Sequence, residues 1–330
     1  VALTILVLVE RFNMNVKLFV QIPCLNEEKT LPLVLESIPK KIAGIDDINI
    51  LVIDDGSTDN TIEIAKKHGV EHFVLHAKNK GLSRSFSDGL DYCLAHGADI
   101  IVNTDGDNQY PQAKIADLVK PIIDSDAEIV IGDRETATLK HFSPLKRFLQ
   151  KFGSRIVNIA ANTNVADTVS GFRAYSREAA MQMYTINTFS YCTETIIHAG
   201  RKRIPMISVP VGANAPTRKS RLFKNMWQHI YKSGGAILKG YFMHEPWKIF
   251  VIPGAIMLLG SAIPFMRYGY LLITGQAGGH IQSLLAGAVL LITGFLFIGL
   301  GVIADLIKTN RILTENILET TKRELYNQNN

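Results

Sequence analysis

The sequence predicts an α/β fold, a mostly parallel sheet with helices on both faces, followed by two helices that cross a membrane. Three observations carry this expectation. From about residue 16 to 212, short β-rich apolar runs alternate with polar or amphipathic stretches. Three of those runs end in clusters of acidic and polar residues. After about residue 213 the pattern breaks, and two long uncharged segments follow. Strands buried on both faces read as near-continuous apolar runs, and their alternation with helices implies parallel pairing.

Taken in order, residues 1–15 form an N-terminal extension. Its segment 1–9 is apolar but too short, and lacks the basic lead, for a signal peptide; no function is assigned to it. Strands are predicted at 16–22, 48–53, 71–75, 100–104 and 127–132. Between them Ser57 can cap a helix running through Ile62, Ile64 and Ala65, with Gly69 as its stop. A second helix over 82–96 ends at Gly97 in the same way.

The 330 residues are 47% hydrophobic and 20% charged, without low-complexity tracts, which excludes a disordered, collagenous or coiled-coil chain. Cys24, Cys93 and Cys192 are far apart and form no Cys-x-x-Cys pair, so neither a disulfide framework nor a zinc knuckle is expected. Lys and Arg number 35 against 30 Asp and Glu, a net charge of +5, too small to make nucleic acid the expected partner.

Residues 249–266 and 281–304 carry no charge, and at about 1.5 Å per residue each can cross a hydrocarbon layer of about 30 Å. Pro253 and Pro264 are tolerable in a membrane helix and predict a kink. Lys219, Arg221, Lys224, Lys232, Lys239 and Lys248 precede the first span, and Lys308, Arg311, Lys322 and Arg323 follow the second. The connector holds only Arg267 and His280. The positive-inside tendency then places the large domain and the tail in the cytoplasm, giving a multi-pass protein of the inner membrane. Two amphipathic stretches, 222–231 and 144–159, set apolar residues against basic ones. The first is expected to lie on the membrane; the second either does so or packs on the domain. Gly287, Gly294, Gly299 and Gly301 permit close helix packing and with it a homo-oligomer. The expected division is 16–220 catalytic, 221–246 interfacial, 247–306 membrane-spanning and 307–330 tail.

In a parallel sheet a ligand sits at the carboxyl ends of the strands. There the first strand ends in Pro23-Cys24-Leu25-Asn26-Glu27-Glu28, the second in Asp54-Asp55-Gly56-Ser57-Thr58-Asp59, and the fourth in Asp105-Gly106-Asp107-Asn108-Gln109. Like charges gathered this way call for something cationic or hydrogen-bond donating between them. Alternate residues of an extended segment face one way, so Asp105 and Asp107 are expected to point together. Hard oxygen ligands beside phosphates suit Mg²⁺ or Mn²⁺. Neither G-x-G-x-x-G nor G-x-x-x-x-G-K-[ST] occurs, so carboxylates and metal rather than a glycine cradle would hold a nucleotide.

With P-x-x-N-E, D-D-G-S-T-D, D-x-D-x-Q and Ser170-Gly171-Phe172-Arg173 in this order, residues 16–225 resemble the family 2 glycosyltransferases of GT-A fold. More narrowly, they resemble the polyprenyl-phosphate glycosyltransferases, the group that includes dolichol-phosphate mannose synthase. The resemblance implies that Pro23, Leu25, Asn26, Glu27, Ile53, Asp54, Asp55, Lys80 and Gly106 bind the donor. It implies that Asp105, Asp107 and Gln109 hold the diphosphate and metal, and that Arg134 faces the sugar nucleotide or the acceptor phosphate. Cys24-Leu25 stands where the family often has a small residue and an aromatic. The family's R-x-x-G-x-S-K segment becomes Arg218-Lys219-Ser220-Arg221, with Ala215 in place of its first arginine.

The implied activity is inverting, metal-dependent transfer of a sugar from a nucleotide diphosphate to a polyprenyl phosphate at the cytoplasmic face. Ser170, Arg173, Arg218 and Arg221 are the candidates for gripping the acceptor phosphate, since guanidinium matches phosphate bidentately; Arg173 could instead pair with a core acid. Glu194 is either a general base or an acid orienting an arginine. The first role would suit a rival transferase acting on a lipid or sugar hydroxyl. A non-catalytic, membrane-anchored nucleotide-binding subunit is the rival of another class.

Overall fold

The computed structural model of the protein describes residues 15–135, 144–185, 191–215, 247–276, 278 and 281–327. Two compact units result, residues Val1–Ile230 with Thr321–Asn330, and residues Tyr231–Thr320. Among the described residues of the first unit, seven strands make one sheet. They are β1 (Lys17–Cys24), β2 (Asp47–Asp54), β3 (His72–Leu75), β4 (Ile100–Asn103), β5 (Ile129–Asp133), β6 (Arg173–Ser176) and β7 (Met206–Pro210), in the order β3-β2-β1-β4-β6-β5-β7. β6 runs antiparallel to both its neighbours, β4 and β5, and every other pair is parallel.

The five predicted strands are present with ends moved by a few residues. β1 and β4 are buried along nearly their whole length, as unbroken apolar runs require. Leu18, Val20, Ile22, Val52, Val102 and Val130 share one core with Leu31, Val34, Ile115 and Leu118 from the covering helices. Each such side chain contributes roughly 1.5–3 kcal/mol through its burial.

The described helices of this unit are α1 (Leu31–Ser37), α2 (Thr61–Lys67), α3 (Leu82–Ala95), α4 (Ile115–Ile123), α5 (Pro144–Ala161), α6 (Arg177–Gln182) and α7 (Cys192–Arg201). Ser57 does not cap α2, which starts only at Thr61. Its hydroxyl accepts the Asn26 N–H at 2.8 Å instead, and Asp59 Oδ1 takes the Thr61 N–H at 3.1 Å. Glu63 in the first turn and Lys66 and Lys67 in the last complement the helix dipole of α2. In α5, Val157, Ala160 and Ala161 are buried while Phe152 and Ile159 are exposed. A Cβ on Gly200 of α7 would lie 2.2 Å from the Ala161 carbonyl oxygen, so the end of α5 packs on the domain.

In the second unit, a π-helical turn over Trp247–Val251 leads into α8 (Ile252–Ile273), and α9 starts at Ile281 and continues to Asn327. Pro253 occupies the first turn of α8, directly after the π-helical turn, and Pro264 lies inside it. Both helices are long and apolar enough to cross a membrane, and only 11% and 17% of their most apolar windows is buried. A core helix of a water-soluble protein would be mostly covered. Three of the four glycines that suggested packing between copies are taken up within the chain. A Cβ on Gly294 would lie 2.8 Å from Leu258, one on Gly287 3.1 Å from Phe265, and one on Gly301 2.5 Å from Val251. Helix α9 includes residues 307–327 of the expected tail. Its last residues belong to the first unit, where Lys322 meets Asp91 at 2.8 Å and Arg177 donates to the Tyr326 carbonyl at 2.8 Å.

Candidate active site

Parallel register brings the three acidic loops to one edge. Cys24 is opposite Asp54 where β1 meets β2, and Gln21 is opposite Asn103 where β1 meets β4. The first two loops are clasped to each other. Asn26 adopts a left-handed conformation (φ 56°), donates its N–H to Ser57, and accepts the Thr58 N–H on its amide oxygen at 2.7 Å. The Glu27 N–H donates to the Thr61 hydroxyl at 2.9 Å, and its buried carboxylate accepts from Thr30 at 2.8 Å. Asp54, also buried, accepts the Ser57 N–H at 3.1 Å. Asn26, Glu27 and Asp54, expected as donor ligands, also shape the loops. Pro23 and Ile53 lie inside the sheet, while Leu25 and Asn26 are partly open and Lys80 is exposed.

Asp55 is held from three sides. Its Oδ1 accepts the Lys80 N–H at 2.8 Å and faces His76 Nδ1 at 2.8 Å, and its Oδ2 accepts the Gly81 N–H at 2.9 Å. The main chain of Lys80 thus serves Asp55, while its ammonium lies 3.7 Å from Asp88.

The third loop leaves β4 as a turn around Gly106 and Asp107 rather than as the extended segment expected from strand alternation. Gly106 is where it touches the first loop, since a Cβ there would stand 3.0 Å from Cys24 Sγ and 3.3 Å from Glu27 Cγ. Gln109 closes the turn, donating its side-chain amide to Asp107 Oδ2 at 2.8 Å and its N–H to Oδ1 at 3.2 Å. Asn214, after β7, pins the same turn by donating to the carbonyls of Gln109 (2.9 Å) and Asn108 (3.0 Å). Convergence of the acids is felt by the Cys24 thiol, which burial and then the charges of Glu27, Asp54, Asp105 and Asp59 push up from its ordinary range.

Asp105 borders the Ser170–Arg173 segment. A Cβ on Gly171 would lie 2.9 Å from the Tyr191 hydroxyl oxygen and 3.3 Å from Asp105 Oδ2. The Gly171 N–H donates to the Tyr110 hydroxyl at 2.8 Å, and its carbonyl accepts from Asn103 Nδ2 at 2.9 Å. Burial and then the Asp105 charge raise the Tyr110 phenol from its usual range. Replacing Gly171 with alanine is expected to displace Asp105 or Tyr191 and to lower activity by about tenfold or more, since a misplacement of about 1 Å can cost about a hundredfold in such sites. Steady-state kinetics beside a melting curve will separate this from simple unfolding.

Ser170 and Arg173, expected at the acceptor phosphate, are both buried. Arg173 is 1% exposed and donates to the carbonyls of Ser170 (2.7 Å) and Thr168 (3.2 Å) and to the Thr195 hydroxyl (2.8 Å). That geometry braces the loop carrying Gly171. Arg134 forms a two-pronged pair with Asp167, Nε at 2.7 Å and Nη2 at 3.1 Å. Burial disfavours its charge, but the Asp167 carboxylate, through its charge and its hydrogen bonds, outweighs this. Glu194 is half-buried in the first turn of α7. Arg218, Arg221 and the predicted helix over 222–231 lie outside the described residues.

Asn214, Tyr110, Tyr191, Asp167 and His76 were not expected from sequence. Of these only Tyr110, directly after the acidic turn, sits beside a recognisable signal.

Among the described residues no three His, Cys, Asp or Glu side chains gather as a ready metal cage. Asp105 and Asp107 supply two hard carboxylates at one turn. This matches a small divalent ion that keeps waters and shares substrate phosphates, rather than one caged by protein alone.

Comparison with known proteins agrees with this architecture. Residues 19–183 match Glycosyl transferase family 2. An uncharacterized protein of Methanocaldococcus jannaschii is 32% identical over 65% of this chain and 93% of its own length. The UDP-N-acetylglucosamine--dolichyl-phosphate N-acetylglucosaminyltransferase of Methanococcus voltae is 29% identical over 59% of this chain and 84% of its own. Polyprenol monophosphomannose synthase of Mycolicibacterium smegmatis is 26% identical over 52% and 66%. Among solved structures, glucosyl-3-phosphoglycerate synthase of Mycobacterium tuberculosis, in complex with Mn²⁺, UDP-glucose and phosphoglyceric acid, shares the GT-A fold. It superposes with a TM-score of 0.54 at 19% identity, covering 68% of this chain and 78% of that one. From sheet order, acidic strand ends and these matches together, the chain belongs to glycosyl transferase family 2 and is a glycosyltransferase.

Proposed function

We propose that the protein transfers a sugar from a nucleotide diphosphate to a polyprenyl phosphate, with inversion at the anomeric carbon, at the cytoplasmic face of the membrane. The observation that carries this reading is the meeting of the β1, β2 and β4 loops around Asp55, Gly106 and the Asp105–Asp107 turn. The dolichyl-phosphate named for the M. voltae relative and the polyprenol monophosphomannose named for the M. smegmatis relative support the choice of acceptor.

In this reading Asp55 holds the nucleoside, with Leu25 beside it. Asp105 and Asp107, with the Gln109 amide oxygen, would hold Mg²⁺ or Mn²⁺ for the diphosphate. The bound ion would stabilise the negative charge that grows on the leaving diphosphate. Gln109 and Asn214 keep the Asp107 turn shaped for that role, and the pair Arg134–Asp167 fixes a cation beside Tyr110. The acceptor phosphate has a second pKa of about 6 and arrives largely deprotonated at neutral pH. Its oxygen forms the new bond to the anomeric carbon as the bond to the diphosphate breaks, so no strong base is required. Arg218 and Arg221 are assigned to the acceptor phosphate, and Arg173 is assigned to support Gly171. Residues 16–220 form the catalytic domain, 221–246 the membrane-surface segment and 247–306 the two spans, oriented by their basic flanks.

The test is release of nucleoside diphosphate by the full chain in detergent, across a panel of nucleotide sugars. Release is expected with one donor only when both polyprenyl phosphate and Mg²⁺ or Mn²⁺ are present. Release that needs neither would contradict the proposal.

A further inference from the structure

A buried chain of alternating charge runs from the donor loop towards the surface. His76 follows β3, and its main-chain N–H donates to the Asp54 carbonyl at 2.9 Å. Its ring lies between two carboxylates, with Nδ1 2.8 Å from Asp55 Oδ1 and Nε2 3.0 Å from Asp88 Oδ2. The ring is 2% exposed, against 7% for the Asp55 side chain and 17% for that of Asp88. An ionised carboxylate accepts hydrogen bonds and donates none, so each contact requires a hydrogen on the facing nitrogen.

Both carboxylates are placed as anions. Asp55 accepts two main-chain N–H groups where α3 begins, an end that favours negative charge. Asp88, inside α3, meets Arg84 Nε at 2.9 Å and the Lys80 ammonium at 3.7 Å. The ring between them therefore carries hydrogen on both nitrogens. A neutral histidine would leave one nitrogen lone pair facing a carboxylate oxygen, with no hydrogen between them.

We infer that His76 is a positioning residue of the donor site: as an imidazolium bridging Asp55 to Asp88, it fixes the Asp55 carboxylate for the nucleoside. The inference rests on the reading of Asp55 as the nucleoside ligand. A carboxylate has about four acceptor positions, of which His76, Lys80 and Gly81 take three. The remaining one faces a donor N–H only while the carboxylate plane is held, because the terminal torsion of an aspartate is broad. The loop amides hold it from one side and the imidazolium from the other. Asp88, itself fixed by Arg84, keeps the ring oriented and charged.

The experiment measures the affinity of the full chain in detergent for UDP, GDP and dTDP with Mn²⁺ by calorimetry. It compares wild type with Asp55→Asn, His76→Gln and Asp88→Asn. Glutamine has a single amide donor group and cannot serve both carboxylates. His76→Gln is expected to weaken whichever nucleoside diphosphate binds by about tenfold, the cost of a lost charged hydrogen bond. Asp88→Asn should act in the same direction by less. Nitrogen-15 NMR of the wild-type ring is expected to show both nitrogens protonated. A purely structural histidine would lower the melting temperature and leave affinity unchanged.

If Asp55→Asn weakens binding while His76→Gln and Asp88→Asn bind as wild type, the positioning role is overturned and the nucleoside reading stands. If Asp55→Asn binds as wild type, or no nucleoside diphosphate binds, that reading fails and takes the inference with it. A neutral tautomer in the NMR spectrum also overturns the inference. Should His76→Gln fail to fold, the more exposed Asp88→Asn decides by the same affinity measurement.

Discussion

Asp107→Ala is expected to lower turnover by about two to three orders of magnitude while leaving the fold intact. The size follows from the role: a group that stabilises charge only as the diphosphate departs is worth roughly 2.7–4 kcal/mol of barrier. The fold should tolerate the change because Asp107 lies half-exposed in a turn held independently by Asn214, through the carbonyls of Asn108 and Gln109. Nucleoside diphosphate release at saturating donor, read beside a thermal melt, is the measurement. Undiminished turnover would remove Asp107 from the site.

The largest effect on stability is expected at the pair Arg134–Asp167. Asp167 is almost fully covered, and its carboxylate is engaged by both prongs of Arg134 and by the Val169 N–H at 3.2 Å. Removing one partner leaves a buried charge uncompensated, so Asp167→Ala should cost about 3–5 kcal/mol. Replacing both residues together with apolar side chains of similar volume should recover much of that loss, because the desolvation penalty goes with the pair. Unfolding of the full chain in detergent, followed by limited proteolysis or melting, reads both variants.

The same pair predicts an acid dependence. Burial pushes the Asp167 carboxyl upward, but Arg134 and the hydrogen bonds around it prevail, and the carboxyl lies below its ordinary range. A carboxyl lowered on folding adds stability above its unfolded value. That contribution is lost as the pH falls through the folded one. The melting temperature of wild type should therefore drop on acidification below the usual carboxylate range, and the double apolar variant should lose this part of the drop. An identical acid response in the two proteins would show that Asp167 is not the group concerned.

The parts of the fold visible from sequence are those whose physics is local. β1 and β4 are covered on both faces and appear as unbroken apolar runs. β6 escapes this reading because it is four residues long and opens with Arg173, whose charge is satisfied by carbonyls of its own preceding loop. β7 is half-buried up to an exposed Pro210. Its short apolar stretch is broken by Ser208 and bounded by Pro205 and Pro210, residues that argue against a strand. The acidic strand ends are legible because repulsion makes such clusters unusual, but which of their members face a ligand is not. Asn26, Glu27 and Asp54 turn inward to clasp loops, a decision made by partners about 30 residues away or in the same turn.

Long-range partnerships were beyond reach for the same reason. Tyr110 meets Gly171 across 61 residues, Asn103 meets Tyr191 across 88, and Arg134 meets Asp167 across 33. Sheet order sets these meetings, and β6 inserted antiparallel between β4 and β5 is what brings Gly171 to Asp105. The glycines of the second span are a case where a correct physical signal had two outlets. Close packing was expected between copies, and the contact within the helical hairpin uses most of them.

The most direct test of the account is to give the full chain a labelled nucleotide sugar with either a polyprenyl phosphate or the corresponding polyprenol, and to count label entering the lipid fraction. The account predicts label in lipid only with the phosphate, because only that acceptor arrives already deprotonated. Equal rates on both acceptors would contradict it and point to Glu194 as a base acting on a hydroxyl.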